Sequence, residues 1–406
     1  MEFEPLIDRD RYLSKIRPMY DSNIIKAITG PRRSGKSVIL RKIYNDLPSD
    51  PEHKIYIDYE NMDNDPLSNA EALHDYLKKK MTDGSKYYIL LDEVQNVEGF
   101  EKVLASIRNM HDCSIFITGS NSKMLSGELS SVLTGRCMPF EILPFSYSEA
   151  KEYLKTIRGS VPENFIIDYL RCGGYPQRLQ MPNDSLSRKF LSELYEAILA
   201  KDIKRRHKRL DMNKFRKVSA FVLANCGNDF SAKSITEYLK KQGFDISMQT
   251  VNTYLDLMEQ AYLIKRVKIY DISGRRVMDS KPKNYALDNG MRYIMTNTVD
   301  VQNGFFLENL VYLELIGRGY EVYVGKKYNG EIDFVAVLGG KKCYIQVAYL
   351  IPGEETVERE FGAYRSVRDP SPKYVMSLDP LDLSRDGIVH INIVDFLEGK
   401  KDIYLT

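Results

Sequence analysis

The octapeptide Gly30-Pro31-Arg32-Arg33-Ser34-Gly35-Lys36-Ser37 constrains this chain more than any other stretch, because it satisfies every fixed position of G-x-x-x-x-G-K-[ST]. In front of it, Asn23 to Thr29 is a short apolar run suited to a buried parallel strand. Behind it, Val38 to Tyr44 reads as the start of a helix. Strand, glycine loop and helix together make a cradle for phosphate. Gly30 and Gly35 let the backbone approach a ligand closely. The N–H groups of the loop converge into a nest for anionic oxygens, and the helix adds its positive dipole end. Lys36 is then placed to reach the outer phosphates of ATP, and the Ser37 hydroxyl to hold Mg²⁺. Pro31 and Ser34 line the same cradle, while Arg32 and Arg33 either touch phosphate or are solvated loop charges.

A second stretch supplies the other half of such a site. Tyr87 to Leu91 is a buried strand that ends in Asp92-Glu93. That ending puts Asp92 beside Mg²⁺ and Glu93 beside an attacking water, an arrangement for hydrolysis rather than binding alone. Ser114 to Asn121 is a further strand with a polar end. Asn121 is the candidate γ-phosphate sensor and Ser120 the reserve, although either could equally cap a helix. Arg136, just before the extended stretch Met138 to Ser146, is either an arginine finger on the γ-phosphate or a surface salt-bridge residue. With Lys54 to Tyr59, these strands make five, separated by helices such as Asn69 to Met81. The fold class expected is α/β, a P-loop NTPase doubly wound parallel sheet with the nucleotide at the carboxyl ends of its strands.

The phosphate loop, Leu91-Asp92-Glu93, Thr118-Gly119-Ser120-Asn121, Gly135-Arg136 and Gly173-Gly174-Tyr175-Pro176 resemble those of bacterial and archaeal AAA-type ATPases that carry a C-terminal domain of unknown function. The resemblance runs from about Asp10 to Tyr349. It implies an ATPase with a catalytic glutamate, a winged-helix-like middle and a C-terminal region similar to restriction-endonuclease cores. Three domains are expected: 1–182, the ATPase with a helical lid; 183–299, helical and winged-helix-like; and 300–406, nuclease-like and non-catalytic.

In the middle region, Tyr147 to Arg158, Asn164 to Cys172 and Ser187 to Ile203 read as helices. Lys201 to Arg209 is the densest basic run, which suits either a nucleic-acid backbone or a solvated helix face. Phe230 to Lys241, a turn at Gly243, Ser247 to Glu259 and a hairpin from Tyr262 follow in winged-helix order. A DNA-reading version would present Ser247, Gln249, Thr250, Asn252 and Thr253, but that helix contains no Arg or Lys for guanine. Residues 201–260 are therefore the place where DNA would bind, with a protein partner or self-association as the alternative.

Farther on, Glu308 on a helix and Asp333 on a strand match the first two positions of the nuclease pattern. Gln346 stands where the acid of E-x-K belongs and Ala348 where the lysine belongs, so a hard cation loses ligands it needs. The net charge of +2 makes the chain as a whole no polyanion binder. Cys113, Cys137, Cys172, Cys226 and Cys343 are scattered without a C-x-x-C pair, which argues against zinc and a disulfide framework. Met1 to Asp10 is acidic with no apolar signal core, and no apolar run reaches membrane-spanning length of about 18 residues, so a reducing cytoplasm is expected. The expected function is ATP binding and hydrolysis that couples nucleotide state to the C-terminal domains. The alternatives are a nucleotide-gated DNA-binding protein and a nucleotide-sensing interaction switch.

Overall fold

The computed structural model describes residues 6–120, 135–296 and 304–405. The chain divides into two compact units, Met1–Pro144 with Gln260–Tyr262, and Phe145–Glu259 with Leu263–Thr406.

The first unit is built on strands β1 (Ile25–Thr29), β2 (Lys54–Asp58), β3 (Tyr87–Asp92), β4 (Cys113–Gly119) and β5 (Cys137–Glu141). They form one sheet in the order β2-β3-β4-β1-β5, and every pairing is parallel. All five expected strands are present, and β4 inserted between β3 and β1 creates the reversal of order at which α/β sheets bind ligands. Both faces are covered because successive residues of a strand alternate sides. Ile25, Ala27, Ile89, Leu91, Ile115 and Ile117 pack with Leu73 and Leu77 of the Ala70–Lys80 helix and Leu104 and Ile107 of the Phe100–Met110 helix. Ile28, Leu90 and Phe116 pack on the other side with Leu13 and Ile16 of the Asp10–Ile16 helix and Ile39, Leu40 and Ile43 of the Lys36–Asp46 helix. Each such fully buried aliphatic chain contributes about 2 kcal/mol. The parallel strand β1 carries Lys26, completely buried on the second of these faces.

The second unit opens with the Tyr147–Arg158 helix, which starts where Ser146 and Glu149 form a reciprocal cap. Phe165–Cys172 follows, and then Asp184–Ile198, which continues as a π-helical turn at Leu199–Lys204 rather than as one regular helix. Ala232–Lys241 and Met248–Gln260 are the expected helix pair. The hairpin after them is β6 (Ile264–Asp271) and β7 (Arg276–Ala286). It is joined by β8 (Glu321–Lys326), β9 (Glu331–Leu338), β10 (Lys341–Val347), β11 (Lys373–Ser377) and β12 (Val389–Asn392) in a single sheet of order β12-β11-β10-β9-β8-β6-β7. Strand β6 pairs in parallel with β8, Ile269 opposite Val324. The hairpin therefore belongs to the same sheet as the C-terminal strands, across the boundary expected at 299/300. Ile269, on the strand facing β8, is 9% exposed, so pairing gives β6 a buried neighbour that an isolated two-stranded wing lacks. The Phe305–Arg318 helix precedes β8, and the Glu354–Gly362 helix lies between β10 and β11 in sequence.

Candidate nucleotide site

The phosphate loop has the backbone its glycines foretell. Gly30 takes φ +141° and Gly35 φ +98°, with Arg33 between them also left-handed at φ 63°. A Cβ on Gly30 would sit 2.1 Å from the carbonyl oxygen of Ile142, so only glycine fits there. The Lys36–Asp46 helix begins directly after the loop, its first N–H groups free of helical partners. Lys36 is buried, and its Nζ donates to the Pro31 carbonyl at 2.9 Å and lies 3.9 Å from the Glu93 carboxylate. The hydroxyl of Ser34, fully buried, has no hydrogen-bond partner among the described residues. Of the two loop arginines, Arg33 is exposed and Arg32 lies 3.4 Å from Glu60.

The β3 terminus meets this loop. Ser37 Oγ donates to Asp92 Oδ1 at 3.1 Å. Asp92 also accepts from Thr118 Oγ1 at 2.5 Å and from the Tyr56 hydroxyl at 2.9 Å. Burial pushes the Asp92 carboxyl up, against the opposing pull of the Thr118 and Ser37 hydrogen bonds. Glu93 is a left-handed non-glycine residue, φ 53°, a conformation that costs roughly 1–2 kcal/mol. Its N–H donates to Thr118 Oγ1 at 2.8 Å, so one threonine hydroxyl links the two acids. The Glu93 carboxylate accepts a hydrogen bond from the Gln95 amide. Lys36, Ser37, Asp92 and Glu93 thus converge at the carboxyl edge of the sheet, joined by three residues to which the sequence reading assigned no role: Tyr56, Thr118 and Gln95. Thr118 carried a signal, a polar residue directly after the apolar run Ile115 to Ile117 in the strand beside β3; Tyr56 and Gln95 carried none.

Among the remaining expected site residues, Arg136 stands elsewhere. Asn121 lies outside the described residues, and Ser120 is buried just beyond the end of β4. Arg136 is exposed, and its carbonyl accepts from Ile25 N at 2.8 Å. It therefore stands at the amino edge of β1 and β5, whereas the loop springs from the carboxyl edge about 13 Å along the strand. Parallel pairing of Ile25 with Cys137 sets Arg136 at the end of the strand opposite the loop.

In the second unit, Glu308 accepts from the Tyr285 hydroxyl at 2.6 Å, and Asp333 accepts from Val347 N at 2.7 Å. Gln346 Oε1 accepts from Asp333 N at 3.3 Å. Lys283, on β7, is ion-paired with Glu331. Burial lowers its ammonium, but Glu308 and Glu331 outweigh burial and the net shift is upward. Burial, reinforced by Glu308, holds the Asp333 carboxyl well above the usual carboxylate range. No helix among the described residues is long and apolar enough to cross a membrane.

A parallel five-stranded sheet with a phosphate loop after β1 and an acidic pair after β3 defines a P-loop NTPase, and residues 22–151 match the family described as AAA domain. Residues 164–302 match a domain of unknown function, DUF8612. The chain is 32% identical over 401 residues to an uncharacterised protein of Haemophilus influenzae, covering 97% of this chain and 98% of that one. The protein belongs to this family of AAA-type P-loop ATPases fused to a domain of unknown function. An uncharacterised protein of Methanocaldococcus jannaschii is 29% identical over 364 residues, 86% of this chain and 79% of that one. Among solved structures, a Walker-type ATPase of Pyrococcus abyssi shares the fold with a TM-score of 0.52 and 16% identity, over 71% of this chain and 95% of that one.

Proposed function

We propose that the chain binds ATP with Mg²⁺ at residues 30–37 and hydrolyses it, coupling the nucleotide state to its C-terminal domains. One observation carries the reading: Ser37 Oγ lies 3.1 Å from Asp92, and Lys36 Nζ 3.9 Å from Glu93, on the edge where the loop leaves β1. The residues suit the ligands. A buried, unpartnered Ser34 hydroxyl and a Gly30 that admits no Cβ belong to a cradle for phosphate oxygens. Ser37 and Asp92 offer oxygen donors, the set a hard divalent cation takes. These two residues would hold Mg²⁺, which when bound would supply charge neutralisation on the outer phosphates.

The chain's own residues perform the rest. Lys36 exchanges the Pro31 carbonyl for γ-phosphate oxygens. Glu93 orients a water in line with the γ-phosphorus and takes its proton as the bond to the bridging oxygen of ADP breaks. Thr118 fixes Asp92 and the Glu93 backbone relative to each other. Asn121 senses the γ-phosphate, and Arg136 is available only to a second copy's site. Purified Lys36→Ala protein should lose hydrolysis; turnover at the wild-type rate would remove the assignment.

A second reading, nucleotide-gated DNA binding, is favoured by exposed groups of the second unit. Lys201, Lys204, Arg205, Lys208 and Arg209 are exposed, as are Ser247 and, on one helix face, Gln249, Asn252 and Thr253. Absence of binding to duplex DNA at low salt, with and without ATP, would dismiss it. For the C-terminal domain the reading is a nuclease-like scaffold without cleavage: Gln346 and Ala348 replace key groups, and burial holds the Asp333 carboxyl above the usual carboxylate range.

A further inference from the structure

Arg9 holds the phosphate loop, and nothing in the hydrolytic reaction above uses it. It is 5% exposed and takes φ 54°, ψ 45°, a left-handed conformation that a non-glycine side chain keeps where its surroundings over-determine it. Its Nη1 donates to the Ser34 carbonyl at 2.7 Å. Its Nη2 donates to the Leu143 carbonyl at 2.9 Å and approaches that of Pro144 at 3.5 Å. The guanidinium lies 4.7 Å from the centre of the Tyr12 ring, and the Tyr12 hydroxyl accepts from Leu143 N at 3.2 Å. Leu143 and Pro144 end the first unit's main segment; the chain passes into the second unit at Phe145. The same exit segment touches the loop again at Gly30, against Ile142, whose N–H donates to Thr29 at 2.7 Å.

We infer that Arg9 is a positioning residue that makes the exit segment Ile142–Pro144 respond to the state of the phosphate loop. The inference rests on the ATP site proposed above. The turn Pro31–Ser34 is closed by Ser34 N donating to Pro31 at 3.2 Å, and Lys36 Nζ pins the same carbonyl at 2.9 Å. A bound triphosphate recruits that ammonium, and the Pro31 carbonyl loses a charge-assisted bond. The change falls on a turn whose Ser34 carbonyl is one end of the Arg9 fork; the Leu143 carbonyl is the other. A planar guanidinium with donors at both ends spans two carbonyls at fixed separation, which a lysine ammonium does not.

The test is hydrogen–deuterium exchange of the full chain with and without ATP and Mg²⁺, read on peptides covering 30–37 and 142–146. In the wild type both segments should slow, the exit segment by about fivefold or more, the scale of a coupling between sites. Arg9→Gln and Arg9→Lys should keep the response at 30–37 and lose that at 142–146. A lysine that restores the exit response in full overturns the inference, and so does a wild type that responds at 30–37 but not at 142–146. Silence at both segments sinks the ATP reading and takes the inference with it. Should Arg9→Gln fail to fold, Arg9→Lys and the wild type decide the matter alone.

Discussion

Gly30→Ala tests the loop through one methyl group. The added carbon would meet the Ile142 carbonyl oxygen at 2.1 Å, its carbon at 3.0 Å and the Ile142 nitrogen at 3.2 Å, where ordinary contact begins at 3.4 Å. The worst overlap is therefore 3.4 − 2.1 = 1.3 Å. The wall cannot recede freely, because Ile142 N is bonded to the Thr29 carbonyl at 2.7 Å, and breaking that bond costs about 1 kcal/mol. Alanine at φ +141° adds backbone strain of about 1–3 kcal/mol. Together these predict a destabilisation of about 2–4 kcal/mol. If the loop moves instead, a displacement near 1 Å at a reacting phosphate costs about 100-fold in rate. The assay is ATP turnover, as kcat/KM, beside thermal melting, with Gly84→Ala as control. Gly84 also has positive φ, +72°, but nothing lies within 4 Å of its Cβ position, so that variant carries the backbone term alone. A Gly30→Ala protein that melts like Gly84→Ala and turns ATP over within about twofold of wild type would refute the reasoning.

Two further outcomes follow from the first unit. Lys26, buried between Ser22 and Ser114, has its ammonium pulled down to about 7 by burial, with Lys86 adding to the effect. Because the folded value lies below the unfolded one, the unfolded chain binds the extra proton between about pH 7 and 10.5. The cost, about 4–5 kcal/mol at most, is thus fully present below that window and relieved as pH rises through it. Lys26→Met should raise the melting temperature more near neutral pH than at about pH 10, and an equal gain at both would contradict this. Thr118→Val removes a hydroxyl that favours ionised Asp92, so the Asp92 carboxyl should move further up. The acid limb of kcat/KM should shift to higher pH; a shift to lower pH would show that Thr118 does not act this way.

The nucleotide half of the molecule was legible because each of its parts has a local cause. A glycine pair, a lysine and a serine at fixed spacing leave one backbone solution, and a buried run ending in Asp92-Glu93 can only be an interior strand whose acids emerge at the edge. The Phe100–Met110 helix was not read, although Phe100, Val103, Leu104 and Ile107 have helical spacing. Arg9 and Tyr56 were invisible for a different reason: they act through tertiary contacts 25 to 134 residues away in the chain. The edge at which Arg136 stands was not legible, because a position just before a strand does not say which edge of the sheet it faces; parallel pairing with β1 decides that. The hairpin from Tyr262 is legible as a hairpin but its place in the larger sheet is not, since pairing of β6 with β8 joins segments about fifty residues apart and leaves no local mark.

The central claim is tested most directly by measuring ATP binding and phosphate release on the same preparations of wild type and Glu93→Gln. The account predicts that both bind ATP with Mg²⁺ at similar affinity, while release by Glu93→Gln falls by about 10²–10⁴-fold. A wild-type chain that binds no ATP, or a Glu93→Gln chain that releases phosphate as fast as wild type, would contradict it.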